Sequence, residues 1–173
     1  MEEIEVPTEH LHENINEKAH EANDKWSMLL AISTAIMAVF AALASLLAGH
    51  HSNEALLSQL KASDQWNYYQ AKGIKYEITQ GIVLNNPNAP DDLKKKLDKY
   101  KDDQAKIKET AEEAEKESVA HLEKHSTLAR SVTLFQISIA ISAIAMLTRR
   151  RFLWYFSLIL SAVGIYFFVM GNL

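Results

Sequence analysis

The chain has 173 residues, a formal net charge of −4, 48% apolar residues and no cysteine. The missing thiols exclude disulfides, thiol catalysis, iron–sulfur clusters and thiolate zinc sites. Nucleic acid is excluded on charge, because the one basic run, Lys94-Lys95-Lys96, is interleaved with Asp91, Asp92 and Asp98 and reads as a solvated helix face.

The apolar residues collect in three blocks, 26–48, 128–148 and 152–171, with no Asp, Glu or Lys in any of them. A helix needs about 20 apolar residues to cross a bilayer. The composition therefore predicts an all-α membrane protein with three transmembrane helices. The first block is too long, and its leading segment too acidic, for a signal peptide, so it is expected to be retained.

Residues 1–25 carry eight acids against two lysines. Thr8 is a candidate cap for an amphipathic helix whose apolar positions Leu11, Ile15, Ala19, Ala22 and Trp26 recur every three or four residues. That stripe runs into the first block, which predicts one continuous rod. Within 26–48, Ala31/Ala35, Ala38/Ala42, Ala41/Ser45 and Ala44/Ala48 are small pairs four apart, on more than one face. Such ridges let helices approach closely in lipid.

Between the first and second blocks lies a polar excursion, 49–127, broken only at Asn85-Asn86-Pro87-Asn88-Ala89-Pro90. Two prolines and three asparagines in six residues end a helix, and Asp91 and Asp92 start a new one. The expectation is a long antiparallel helical hairpin, coiled-coil-like, in which paired residue numbers sum to about 175. The first arm offers the stripe Ala55, Gln59, Ala62, Trp66, Tyr69, Gly73, Tyr76, Gln80, Val83. Leu56, Leu57, Leu60, Ile74, Ile78 and Ile82 lie beside or behind it. The second arm repeats Leu93, Leu97, Tyr100, Gln104, Ile107, Ala111, Ala114, Ser118, His121, His125 and Leu128 at alternating four- and three-residue spacing. Trp66, Tyr69, Gly73 and Tyr76 are candidate interface residues, since aromatics with a polar tip are enriched at protein contacts.

The pairing rule also sets 50–51 opposite 124–125, gathering His50, His51, His121 and His125, with Glu54 one turn above His50. His121 and His125 have the i, i+4 spacing at which two imidazoles share one ion. Without thiolates such a cluster would suit zinc, nickel or copper, or titrate as a proton switch. The plain alternative is a set of histidines in a helix seam at a wet membrane edge.

The second block carries Ser131, Thr133, Gln136, Ser138 and Ser142, and no block has an ionisable residue at its middle. That argues against proton-coupled transport. Arg149-Arg150-Arg151 links the second and third blocks, followed by Phe152, Trp154, Tyr155 and Phe156 as an interfacial anchor. Short-loop arginines stay cytoplasmic, which places the N-terminus inside and the hairpin and C-terminus outside.

Five strings stand out: Glu2-Glu3-Ile4-Glu5-Val6-Pro7-Thr8-Glu9-His10-Leu11, Leu46-Leu47-Ala48-Gly49-His50-His51-Ser52-Asn53-Glu54-Ala55-Leu56, Ala62-Ser63-Asp64-Gln65-Trp66-Asn67-Tyr68-Tyr69-Gln70-Ala71-Lys72-Gly73-Ile74-Lys75, Val132-Thr133-Leu134-Phe135-Gln136-Ile137 and Leu147-Thr148-Arg149-Arg150-Arg151. In them the chain resembles the bacterial membrane family called domain of unknown function 4337. The resemblance implies a small bacterial inner-membrane protein and brings no activity or catalytic residue with it.

From the residues themselves the first expectation is a homo-oligomeric structural or interaction module, with lipid and further copies of the chain as its partners. A metal- or pH-responsive sensor using the histidines, and an oligomeric pore lined by the serine-rich second block, are the alternatives. No nucleophile–base constellation or phosphate-binding glycine loop points to an enzyme, and no small-molecule ligand is indicated.

Overall fold

The computed structural model describes residues 11, 13–15, 17, 25–86 and 88–173. Among them there is no strand. Three helices account for nearly all of the chain: α1 (Lys25–Asn85, 61 residues), α2 (Asp91–Thr148, 58 residues) and α3 (Arg151–Asn172, 22 residues). Each contains a stretch long and apolar enough to cross a membrane. Two compact units are distinguished, one made of Met1–Ser52 with Glu123–Leu173 and the other of Asn53–Leu122. The long helices α1 and α2 run through both.

The break between α1 and α2 falls at the asparagine-rich turn. Asn85 donates its side-chain amide back to the Gly81 carbonyl at 2.8 Å, covering an acceptor that the helix end leaves open. The Asn86 carboxamide oxygen then accepts from the Asn88 N–H at 3.1 Å, a local turn that competes with helix. Ala89 N–H bonds the Asn86 carbonyl at 3.0 Å, and Leu93 N–H bonds Pro90 at 2.9 Å to open α2. Asp91 and Asp92 occupy its first turn, where negative charge suits the helix dipole. Pro87 lies outside the described residues.

In the first unit, the inward faces are built from small side chains. α1 buries Ala31, Thr34, Met37, Ala41, Ala44 and Ala48, so its small ridges resolve into one buried face, while Ala42 is exposed. α3 buries only Ser157, Ser161, Gly164 and Gly171. Phe135 of α2 fills the centre and stacks on Phe40 at 5.9 Å between centroids, with Phe168 edge-on to Phe40 at 5.7 Å. Large apolar side chains, among them Leu29, Ile36, Leu46, Ile144 and Ile159, point outward.

The described N-terminal residues correct one expectation. Leu11, Glu13, Asn14, Ile15 and Glu17 are helical, but not as a collinear extension of α1. Ile15 is 2% exposed in a cluster with Leu30, Ala31, Ala143 and Met146, and Leu11 packs on the cluster of Met37, Ala41, Phe135 and Ile139. On a continuous rod Leu11 would stand roughly 39 Å from Met37 at 1.5 Å per residue. Burying the Leu11/Ile15 edge against the helices outweighs continuing the rod. The remainder of the 1–25 stripe, Thr8, Ala19 and Ala22 included, lies outside the described residues.

The link between α2 and α3 is Arg149-Arg150. Arg149 has φ 51°, the left-handed conformation at which a helix usually ends on glycine. An L-residue pays about 1 kcal/mol there, and Leu153 N–H closes the new helix onto the Arg150 carbonyl at 3.2 Å.

Candidate functional site

In the unit Asn53–Leu122 the two arms meet along the anticipated stripes. Ala55, Ala62, Ile107, Ala111, Ala114 and Ser118 are buried, and Trp66, Tyr69, Gly73, Tyr76, Leu97, Tyr100 and Gln104 are half-buried. Gln59 departs from its stripe and is exposed. The polar contacts follow the pairing rule. Ser118 Oγ donates to the Ala55 carbonyl at 2.9 Å, Gln104 Nε2 to the Tyr69 carbonyl at 3.3 Å, and Lys72 Nζ to Asp103 Oδ2 at 2.6 Å. Alanine at 62, 111 and 114 is what lets the backbones come this close, so that a hydroxyl on one arm reaches a main-chain carbonyl on the other.

Three of the four candidate interface residues, Trp66, Tyr69 and Gly73, are therefore engaged within the chain. Trp66 donates its indole N–H to Glu115 at 2.9 Å, about a turn beyond the Ile107–Ala111 stretch anticipated opposite it. Its ring meets Tyr69 edge-on at 5.6 Å. A Cβ on Gly73 would stand 2.9 Å from Gln104 Nε2, so the glycine makes room for that amide. Tyr76 is half-buried on the same side.

Lys72 and Asp103 were not singled out by composition, although their numbers sum to 175. The ammonium also lies 5.3 Å from the Tyr68 ring centroid and 5.4 Å from that of Tyr100, within cation–π range. The hydrogen bond to Asp103 raises the Lys72 pKa above its usual value against an opposing effect of burial, and the same bond lowers that of Asp103.

The histidines have individual roles. His125 Nδ1–H donates to the Ala48 carbonyl at 2.8 Å. A carbonyl can only accept, which fixes the proton on Nδ1. His50 and His51 lie with ring centroids 5.4 Å apart. Among the described residues, no group of three or more His, Asp or Glu side chains is arranged to hold a metal ion. That statement covers His50, His51, Glu54, His121 and His125.

The serines of the second block face inward. Ser131 donates to the Gly164 carbonyl at 2.8 Å, and Ser138 to its own helix at Leu134, 2.8 Å away. Ser157 gives its one proton to the Trp154 carbonyl, so in the 2.9 Å contact between Ser142 and Ser157 the donor is Ser142. Ser131, Ser138 and Ser142 are fully buried within the chain, where a pore cannot use them. The matching small positions on α3, at 157, 161, 164 and 171, went unremarked in the sequence, yet their spacing of four, three and seven was the signal for a close helix contact.

One surface is left without a partner among the described residues. On the first arm, Leu56, Leu57, Leu60, Ile74 and Ile78 are between 55% and 61% exposed, on the side of α1 turned away from Ala55, Ala62 and Tyr69.

The profile of the family described as Domain of unknown function (DUF4337) matches residues 26–173, nearly the whole chain and all three helices. The chain belongs to the DUF4337 family. No curated protein and no solved structure matches it. For this DUF4337 member, the helical hairpin and the exposed stripe on its first arm are the features from which a function is to be read.

Proposed function

We propose that this DUF4337 protein is an integral membrane protein of the bacterial inner membrane that serves as a homo-oligomeric structural or interaction module rather than an enzyme. The observation that carries the reading is the exposed apolar stripe on the Asn53–Leu122 unit. That unit holds none of the three apolar blocks, yet five Leu and Ile side chains of α1 are exposed on it. Exposed apolar patches outside lipid, here Leu56, Leu57 and Leu60 and one pair further along at Ile74 and Ile78, support a protein contact. The first unit supports membrane insertion independently, because its outward face is covered by large apolar residues while buried serines, glycines and alanines let its helices pack closely.

Arg149, Arg150 and Arg151 set the orientation, with the α2–α3 turn and the N-terminus on the cytoplasmic side and the hairpin in the periplasm. Light scattering of the full chain in detergent tests the oligomer: a protein mass of two or more copies is expected, and a monomer mass at every concentration would overturn it. Reporter fusions after Leu173 and within the 85–90 turn test the orientation, and both are expected on the periplasmic side.

A further inference from the structure

The exposed residues of the first arm are not scattered. Leu57, Leu60, Ile74 and Ile78 fall on one heptad frame whose intervening seam positions are Asp64, Asn67 and Ala71, all exposed. The spacing from 57 to 78 is three, four, three, four, three, four. The seam used inside the chain, through Ala55, Ala62, Trp66, Tyr69, Gly73 and Tyr76, occupies the remaining side of the same helix. α1 thus carries two seams, back to back. One is closed by α2, and the other is closed by nothing among the described residues.

We infer that this second seam is closed by the first arm of another copy of the chain, parallel and in register. The inference rests on the homo-oligomer reading and names its surface. Three observations select the occupant. Four large apolar residues on a 3.5-residue frame suit a helix wound on a helix, whereas a lipid surface or a globular partner imposes no such frame. α1 is a single helix from Lys25 to Asn85, so copies inserted in one membrane in the same sense run their arms in the same direction. Equal anchoring then brings Leu60 to Leu60 and Ile74 to Ile74. Finally, Leu57, Leu60, Ile74 and Ile78 are each between 55% and 61% exposed, on the order of 100 Å² apiece, so the seam offers about 400 Å² of apolar surface per copy, the size of a weak, reversible contact rather than of a standard interface.

The polar middle of the seam has a role in this arrangement. Asp64 and Asn67 occupy successive seam positions between the apolar ends. In a parallel pair, the Asn67 amide of one copy can donate to the Asp64 carboxylate of the other. Such a layer weakens the contact and penalises any shifted register, which would set Asp64 against Leu57 or Leu60. Two Asp64 carboxylates near one axis repel, so the contact is self-limiting in strength.

The chain contains no cysteine, so single cysteines report contacts between copies alone. Leu60→Cys, Ile74→Cys and a control on the outer face of α2, Glu109→Cys, are introduced into the full-length protein. Each is oxidised mildly in native membranes, and the mass of the unmodified protein is measured in detergent. Disulfide-linked dimers are expected at 60 and 74 and not at 109. Ile74→Lys/Ile78→Lys, with helicity checked by circular dichroism, is expected to abolish the Leu60→Cys crosslink. Asp64→Asn is expected to strengthen it. An oligomeric mass without crosslinks at 60 and 74 would overturn this surface and leave the oligomer reading standing, with lipid or another face as the occupant. Equal crosslinking at 109 would overturn it in the same way. A monomer mass with no crosslink at any position would overturn both.

Discussion

The Phe135 ring lies against α3 where Gly164 has no side chain: a Cβ there would stand 3.2 Å from Phe135 Cε1. The contact is tight but not impossible, and the same glycine's carbonyl accepts the Ser131 hydroxyl. Gly164→Ala is expected to lower stability by about 1 kcal/mol and Gly164→Leu by about 3 kcal/mol, as over-packed cores do. Gly49 is the control, since it lies mid-helix with nothing within 4 Å of its missing Cβ. Gly49→Ala is expected to stabilise by about 0.5 kcal/mol. Thermal unfolding in detergent measures all three.

The Lys72–Asp103 pair gives the hairpin a pH-dependent component. Asp103 has a folded pKa below its unfolded value of 3.8, so its contribution is complete above that value and is lost as pH falls through the folded one. Lys72 has a folded pKa above 10.5, so its contribution is complete below 10.5 and is lost as pH rises through the folded value. Asp103→Asn is therefore expected to destabilise the hairpin at pH 7 and to match the wild type in strong acid. A deficit that stays constant from pH 7 down through the acid range would show that the charge of Asp103 is not what matters.

Trp66 is placed on the seam inside the chain, and its truncation should act there. Trp66→Ala removes the ring contact with Tyr69 and the bond to Glu115. For a half-buried tryptophan a loss of about 2 kcal/mol is expected, below the range for a fully buried ring. Amide exchange should quicken in residues 62–73 and 104–118. The detergent mass should stay that of the wild type. A dispersed assembly with unchanged exchange would move Trp66 to an interface between copies.

Two tryptophans near one end of the first unit make a paired test. Trp154 Nε1 donates to Ser33 Oγ at 3.1 Å, whereas the Trp26 Nε1–H is buried with no acceptor among the described residues. Replacing Trp154 by Phe should cost about 0.6 kcal/mol, the typical worth of such a bond between membrane helices. Replacing Trp26 by Phe removes an unpaired donor and should leave stability unchanged or raised. Unfolding of the two variants side by side distinguishes them.

The sequence by itself determined the long-range layout of the chain. Periodicity of 3.5 to 3.6 residues, the length of the apolar blocks and the chemistry of Asn85–Pro90 are local properties, and they fixed helix ends at Asn85, Asp91, Thr148 and Arg151 to within a residue or two. The antiparallel pairing followed from one turn and two arms of equal length, which is why Lys72 meets Asp103 and Ser118 meets Ala55. What only the tertiary structure decided was which of several competent faces is used. Tyr69 and Ile74 both lie on α1 in apolar stripes, and nothing local says that Tyr69 turns to α2 while Ile74 is left exposed. That choice depends on volume, since Ala62, Ala111 and Ala114 admit the close approach that a Leu60 or Ile78 face would block. The N-terminal residues show the same limit. The Leu11/Ile15 edge satisfies helical periodicity equally on a rod or lying against Met37 and Leu30, and only the burial available beside the assembled helices separates the two.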